Sequence, residues 1–123
     1  MDNKRFSFPE WLAGFKHAFN GIRLLIRNER NAAFHCLTGL CVVAAGFLLD
    51  ISAAEWMAAV TACGCVLAAE ALNTAIERLS DVVSPEYSEA IKRVKDLSAG
   101  AVLLIALAAA TVGLIIFIPK LLF

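Results

Sequence analysis

Three long apolar runs separated by short polar links dominate the hydrophobicity pattern of the chain. They give predicted spans at residues 32–49, 53–83 and 97–118, each long enough to cross a bilayer as a helix, which takes roughly 17–25 residues. The second is uncharged over residues 56–69 and continues to residue 83 as a cytoplasmic extension. The first run contains one ionisable residue, His35, and the third run contains none. The pattern therefore predicts an all-α integral membrane protein with three transmembrane helices in a single membrane domain, residues 1–123.

An amphipathic segment, residues 9–28, precedes the first run. Its apolar residues recur three or four positions apart, basic residues alternate with them, and Pro9 suits the first turn of a helix. The segment carries too many charges to cross a membrane, so we expect a helix that lies on the membrane surface. The apolar positions are Trp11, Leu12, Phe15, Phe19, Ile22 and Ile26.

Polar or proline-containing links are expected to separate these helices. Residues 28–31 form a polar break, and Ser52 is a candidate N-cap for the second span. Pro85 cannot continue a helix, so the second span should end before it. Residues 88–96 are expected to form a short charged helix, and Pro119 is expected to end the third span.

Polar residues enter the C-terminal half of the second span and lie on one side of it. At about 100° per residue, Glu77 lies about 20° from Glu70, Asp81 about 20° on the other side, and Asn73 about 60° away. A carboxylate at membrane depth costs several kcal/mol unless it is paired, hydrated or bound to metal, which makes an intramembrane Glu a functional candidate. The alternative is a stripe that only holds helices together.

Composition agrees with a membrane location, and the distribution of charge predicts an orientation. Hydrophobic residues make up 60% of the chain, against roughly 45–50% in soluble domains. Lysines and arginines balance aspartates and glutamates at 11 each, so net charge suggests no nucleic-acid partner. The basic residues cluster before the first span and around residues 78–96, so the positive-inside rule makes the N-terminus and residues 78–96 cytoplasmic. The clustered residues are Lys4, Arg5, Lys16, Arg23, Arg27, Arg30, Arg78, Lys92, Arg93 and Lys95.

Three carboxylates, those of Glu29, Glu70 and Glu77, can meet at the cytoplasmic interface if the surface helix packs beside the second span. Two carboxylates near a phosphate site are oxygen ligands that suit Mg²⁺, and a third, deeper one can take a proton from an alcohol. Lys95 and Asp96 close the same edge, where a lysine offsets phosphate charge. This constellation suits phosphoryl transfer to a hydroxyl held in the membrane. The chain has no GxxxxGK[ST] motif and no Gly-rich loop, which excludes P-loop and protein-kinase folds.

Two functions of other classes compete with this interpretation. A small proton-coupled transporter would use Glu70 as its proton carrier, and a membrane assembly subunit would use the stripe only for packing. A transporter does not need Glu29, Glu77 and Lys95 at one membrane edge.

Several of these residues also have purely structural interpretations. Glu77 could form an ion pair with Arg78 or Lys95, and Asp81 is expected to cap a helix or to pair with an arginine. His35 is interpreted as a helix-packing or interface histidine.

The motif Glu70-x2-Asn73-Thr74-Ala75-Ile76-Glu77-x3-Asp81 closely resembles the prokaryotic diacylglycerol kinase family. Further matching segments extend the resemblance over roughly residues 15–114. They are Asn28-Glu29, Ser84-Pro85-Glu86-Tyr87, Lys95-Asp96 and Ala99-Gly100-Ala101-Val102-Leu103. The Ser-Pro-Glu-Tyr and Ala-Gly-Ala-Val-Leu segments and His35 are more similar to the undecaprenol kinase branch of the family.

The resemblance implies a homotrimeric enzyme of the bacterial inner or plasma membrane that uses Mg-ATP to phosphorylate a membrane lipid alcohol, either diacylglycerol or undecaprenol. It implies that Glu70 is the catalytic base and that Glu29 and Glu77 hold the metal ion. The lipid substrate is expected to contact Glu70, Asn73 and Ala99. The residues expected to bind ATP are His17, Glu29, Glu77, Glu86, Tyr87, Ser88, Lys95 and Asp96.

Overall fold

The computed structural model describes residues 5–123, and these residues form helices and no strands. Lys4 and the first residues of the N-terminal segment lie outside the described residues. The helices are α1 (Phe8–Asn28), α2 (Arg30–Leu48), α3 (Ala53–Val83) and α4 (Glu89–Leu122). Three of them, α2, α3 and α4, are long and apolar enough to cross a membrane. The predictions of an all-α protein and of three candidate spans are therefore confirmed.

Helices α2, α3 and α4 run in alternating directions, as contacts between residues at the same level of the bundle show. Between α3 and α4, Lys120 Nζ lies 3.2 Å from Glu55 Oε1 at one end. Toward the other end, Ser98 Oγ donates a hydrogen bond of 2.7 Å to Asn73 Oδ1. Helix α1 packs against α2 and α3, and the contact of Glu29 with Arg78 places it at this second end, which is called the α1 end below.

The turn between α2 and α3 is stabilised by local hydrogen bonds at both helix termini. Asp50 has φ 50°, a left-handed conformation that Asp tolerates, and Ile51 N–H donates to Gly46 O at 3.1 Å, as in a Schellman motif. Ser52 then begins α3 with a capping box. Its Oγ accepts from Glu55 N–H at 3.2 Å, and its own N–H donates to Glu55 Oε1 at 3.0 Å. The predicted N-cap role of Ser52 is the one observed.

Helix α4 is longer than the sequence pattern predicts. Residues 89–96 and the third apolar run form one continuous helix, because no proline or other break lies between them. Pro119 lies inside α4 and does not end it. Pro119 removes one backbone hydrogen bond and crowds the carbonyl one turn before it, but its own carbonyl can still accept, and Phe123 N–H donates to Pro119 O at 3.0 Å.

Most large apolar side chains face outward, whereas the buried positions are mainly small or polar. Leu72 and Leu104 are 66% and 72% exposed, while Glu70 is 4% exposed. In water, this distribution would expose apolar side chains at a cost in free energy. In a membrane, the surrounding lipid tails are as apolar as leucine, and small interior residues let the helices approach closely. The distribution is therefore that of a membrane-embedded helix bundle.

Candidate active site

The polar stripe of α3 runs from the bundle interior to the α1 end. Glu70 is buried, with its side chain 5% exposed, Asn73 and Glu77 are half-buried, and Asp81 in the last turn is exposed. Trp56 lies in the first turn of α3, at the end of the bundle opposite α1. Glu70 follows it by 14 positions, about 21 Å along the helix axis. Since a hydrocarbon core is roughly 30 Å thick, the stripe starts within membrane depth and emerges at its edge.

Glu70 is contacted by His35, which lies in the second turn of α2. His35 Nε2 lies 3.2 Å from Glu70 Oε1, and the His35 side chain is 22% exposed. The ring of Phe34 meets the imidazole edge-on, with the centroids 5.7 Å apart. The sequence pattern singles out His35 as the one ionisable residue of its run but interprets it as a packing residue. The structure places it against the candidate base.

Asn73, one turn beyond Glu70, is held from the opposite side by α4. Ser98 is buried, and its Oγ donates to Asn73 Oδ1 at 2.7 Å. This bond occupies the amide oxygen and orients the amide NH₂ group away from Ser98. No sequence signal identifies Ser98, because a serine within an apolar run usually bonds to its own helix backbone.

Glu29 lies at the break between α1 and α2, where its extended backbone (φ −112°, ψ 115°) separates the two helices. Its Oε1 lies 3.8 Å from an Arg78 guanidinium nitrogen. Arg78 directly follows Glu77, so the contact brings Glu29 to the turn of α3 that carries Glu77. Within residues 5–123, Glu77 itself makes no ion pair, and the expected alternatives with Arg78 and Lys95 are not observed.

Asp81 pairs with a lysine, and the expectation of a helix cap or an arginine partner is wrong. Lys95 Nζ lies 2.6 Å from Asp81 Oδ1, because the continuous α4 places Lys95 beside the last turn of α3. Arg78 instead points to Glu29. Lys92 Nζ lies 2.8 Å from Asp96 Oδ2 within α4. All four side chains of these two pairs are partly or largely exposed, so solvent screens the pairs and they contribute little stability.

The link between α3 and α4 carries further candidate residues. Ser88 is the N-cap of α4 and its Oγ accepts from Ile91 N–H at 3.5 Å, while Glu86 O accepts from the Ser84 hydroxyl at 2.9 Å. The Tyr87 hydroxyl donates to Glu89 Oε2 at 2.6 Å. This hydrogen bond raises the pKa of Tyr87 above its usual value, so the phenol keeps its proton at neutral pH.

The structure brings together some of the sequence-predicted residues and leaves others apart. The α3 stripe is joined to Glu29 through Arg78 and to Lys95 through Asp81. His17 and Ala99 are exposed and make no polar side-chain contact with the stripe in the described part of the chain. Across residues 5–123, no group of three or more His, Cys, Asp or Glu side chains lies close enough to hold a metal ion unaided.

The comparisons with known proteins agree with one another. The family model of prokaryotic diacylglycerol kinase matches residues 16–117. An undecaprenol kinase of Bacillus subtilis is 38% identical over 123 positions, covering 98% of this chain and 100% of the relative. A diacylglycerol kinase of Synechocystis sp. is 40% identical over 116 positions, covering 93% and 66%. A diacylglycerol kinase of Pseudomonas aeruginosa is 39% identical over 92 positions, covering 73% and 68%.

Proposed function

Because the chain belongs to the prokaryotic diacylglycerol kinase family and is a multi-pass membrane lipid kinase, we propose that it transfers the γ-phosphoryl group of ATP to the hydroxyl of a membrane lipid alcohol. The observation that carries this proposal is the α3 stripe. It joins a buried carboxylate at membrane depth to exposed charged groups at the α1 end, where a water-soluble donor and a lipid acceptor can meet.

In this proposal Glu70 is the general base. The lipid hydroxyl approaches laterally from the bilayer, and the Glu70 carboxylate takes its proton as the lipid oxygen bonds to the γ-phosphorus of ATP. The bond between the γ-phosphorus and the β,γ-bridging oxygen breaks, ADP leaves, and the proton on Glu70 returns to water. Asn73 orients the acceptor beside the base, and Ala99 lines the path of the lipid. A positioned base of this kind contributes roughly 10²- to 10⁴-fold to a rate.

Glu29 and Glu77 would hold Mg²⁺ together with the phosphates of ATP. Their donor chemistry fits, since Mg²⁺ takes one or two carboxylates and completes its octahedron with water and substrate phosphates. When bound, the ion neutralises charge that develops on the transferring phosphoryl group.

The remaining nucleotide contacts are proposed to come from the link and from α4. Lys95 lies at the rim in an exposed pair with Asp81, which leaves the ammonium group able to exchange a carboxylate for a phosphate. Asp96 lies one position further on. His17, Glu86, Tyr87 and Ser88 complete the proposed ATP-binding set.

The proposed arrangement in the membrane places the α1 end in the cytoplasm and α1 on the membrane surface. The aromatic residues of α1 support the surface position. Trp11 contacts Phe8 and Phe15 with ring centroids 5.7 and 5.0 Å apart, and all three are exposed on a helix that also carries basic residues. The protein is proposed to be a homotrimer, and outward-facing small residues of α3, such as Ala58 and Ala68, permit close helix packing between subunits.

Two acceptors are compatible with the relatives. Undecaprenol would yield undecaprenyl phosphate, and diacylglycerol would yield phosphatidic acid. The full-length similarity to an undecaprenol kinase and the similarity to two diacylglycerol kinases keep both in the proposal. Purified protein, radiolabelled ATP and each lipid in turn distinguish them by kcat/KM. A proton-coupled transporter receives no support from these relatives.

The decisive variant is Glu70→Gln, which keeps the shape of the side chain but cannot accept the hydroxyl proton. We expect lipid phosphorylation to fall by at least about 10²-fold while the oligomer stays intact. Glu55→Gln is the matched control, because Glu55 lies on the same helix at the opposite end, paired with Lys120, and should retain activity. Full activity in purified Glu70→Gln would remove Glu70 as the base.

A further inference from the structure

The side chain of His35 makes a polar contact with the buried side chain of Glu70. Across residues 5–123, Glu70 makes no other ion pair or side-chain hydrogen bond, and its side chain is 5% exposed. A buried carboxylate without a polar partner is strongly disfavoured, and His35 supplies such a partner. It comes from α2, whereas the partner of Asn73 comes from α4.

The contact leaves the two oxygens of Glu70 unequal. His35 Nε2 is 3.2 Å from Oε1, so Oε2 remains for a second partner. Rotation about the last side-chain bond of glutamate is soft, so a carboxylate held at one oxygen points its other oxygen in a defined direction. The Nε2–Oε1 separation lies within the range at which an imidazole N–H group can donate to a carboxylate oxygen.

We propose that His35 is a positioning residue for proton transfer, holding Glu70 through Oε1 so that Oε2 faces the lipid hydroxyl. This inference rests on the proposed role of Glu70 as the base. His35 does not touch the reacting atoms, and its effect on the rate passes through Glu70. The imidazole thus completes a two-helix unit in which α3 supplies the base and α2 fixes its orientation.

Three substitutions at position 35 separate this role from packing. His35→Leu keeps an apolar side chain of similar size and removes the donor. His35→Gln keeps an N–H donor at about the reach of Nε2, whereas His35→Asn keeps the amide but is too short to contact Glu70. Thr38→Val is the matched control, since Thr38 lies one turn further along α2 and bonds its own helix at Phe34 O, 3.0 Å away.

We expect His35→Leu and His35→Asn to lower kcat by about 10- to 100-fold, the scale of a misplaced catalytic group. The KM values for ATP and lipid should stay within about threefold, as for an interaction that acts in the transition state. His35→Gln should recover most of kcat, and Thr38→Val should match the unsubstituted protein. In infrared spectra, the carboxyl band that Glu70→Gln removes should shift in His35→Leu and remain in place in Thr38→Val.

Unchanged kcat in His35→Leu would overturn the inference, as would a loss confined to KM for the lipid, which marks a substrate contact. If His35→Leu fails to assemble, His35→Gln and His35→Asn decide the question. An equal loss of kcat in these two variants would indicate a packing role and overturn the inference. Activity in Glu70→Gln would instead refute the proposed base itself. Inactive Glu70→Gln together with active His35→Leu would refute only the positioning role.

Discussion

The four carboxylates of the α3 stripe and the α1–α2 break differ in their partners. Glu70 contacts an imidazole, Asp81 a lysine and Glu29 an arginine, whereas Glu77 makes no ion pair within residues 5–123. A half-buried carboxylate without a cation nearby is suited to a metal ion or hydrogen-bond donor that arrives with a ligand. Glu77 is therefore the residue at which a metal role is most directly testable.

Glu77→Gln should raise the Mg²⁺ concentration for half-maximal lipid phosphorylation by at least about tenfold. Substitution of even an outer-shell partner of a metal ion lowers the metal affinity by roughly 10- to 100-fold. The amide keeps the size of the side chain but loses the negative charge that Mg²⁺ requires of its ligand. The measurement is a Mg²⁺ titration of activity at fixed ATP. Glu55→Gln is again the control, and an unchanged titration in Glu77→Gln would argue against a metal ligand.

At the scale of helices, the apolar runs made the helical class and the three candidate spans predictable. Ser52 was identifiable because a capping box has a local signature, and the break at Glu29 follows from a run of polar residues. The continuity of α4 was not predicted, because a change from charged to apolar residues resembles a boundary although it breaks no backbone hydrogen bond. Which residues pair between helices depends on how segments that are distant in sequence pack together. The Ser98–Asn73 and Lys95–Asp81 pairs therefore have no local signal.

The contact between α2 and α3 near their shared turn depends on a glycine. A Cβ added at Gly46 would lie 2.6 Å from Trp56 Cη2 and 3.1 Å from Ile51 Cδ1, so even Gly46→Ala forces the ring to move. We expect a loss of about 1–3 kcal/mol in the free energy of unfolding, the typical cost of overpacking. Denaturation of the detergent-solubilised protein measures it.

Gly64→Ala on α3 is the comparison, because no atom lies within 4 Å of a Cβ at that position. Its unfolding free energy should stay the same or rise by up to about 1 kcal/mol, because alanine favours a helix interior more than glycine does. Equal destabilisation by the two substitutions would show that the close approach at Gly46 is not what limits packing there. Activity per folded molecule should survive in Gly46→Ala, since the turn lies at the opposite end of the bundle from Asp81 and Lys95.

At the scale of the whole molecule, the arrangement of charge gives the bundle two unlike ends. Within residues 5–123, the α1 end gathers the Glu29–Arg78, Asp81–Lys95 and Lys92–Asp96 pairs, and the opposite end has the single pair Glu55–Lys120. Outward apolar side chains separate the two ends along α2, α3 and α4. Because ATP is cytoplasmic, the proposed function requires that the charged α1 end face the cytoplasm, as the positive-inside rule also predicts.

Single cysteines at the two ends test this orientation in a version whose four native cysteines are replaced by alanine. Ala54→Cys lies exposed in the first turn of α3, at the end opposite α1, and Ala90→Cys lies exposed in the first turn of α4, at the α1 end. A membrane-impermeant maleimide should label Ala54→Cys in intact cells and Ala90→Cys only after the membrane is opened. The cysteine-free version should stay unlabelled. The reverse pattern would place Lys95 and Asp81 outside the cell, where a kinase could not draw on cytoplasmic ATP.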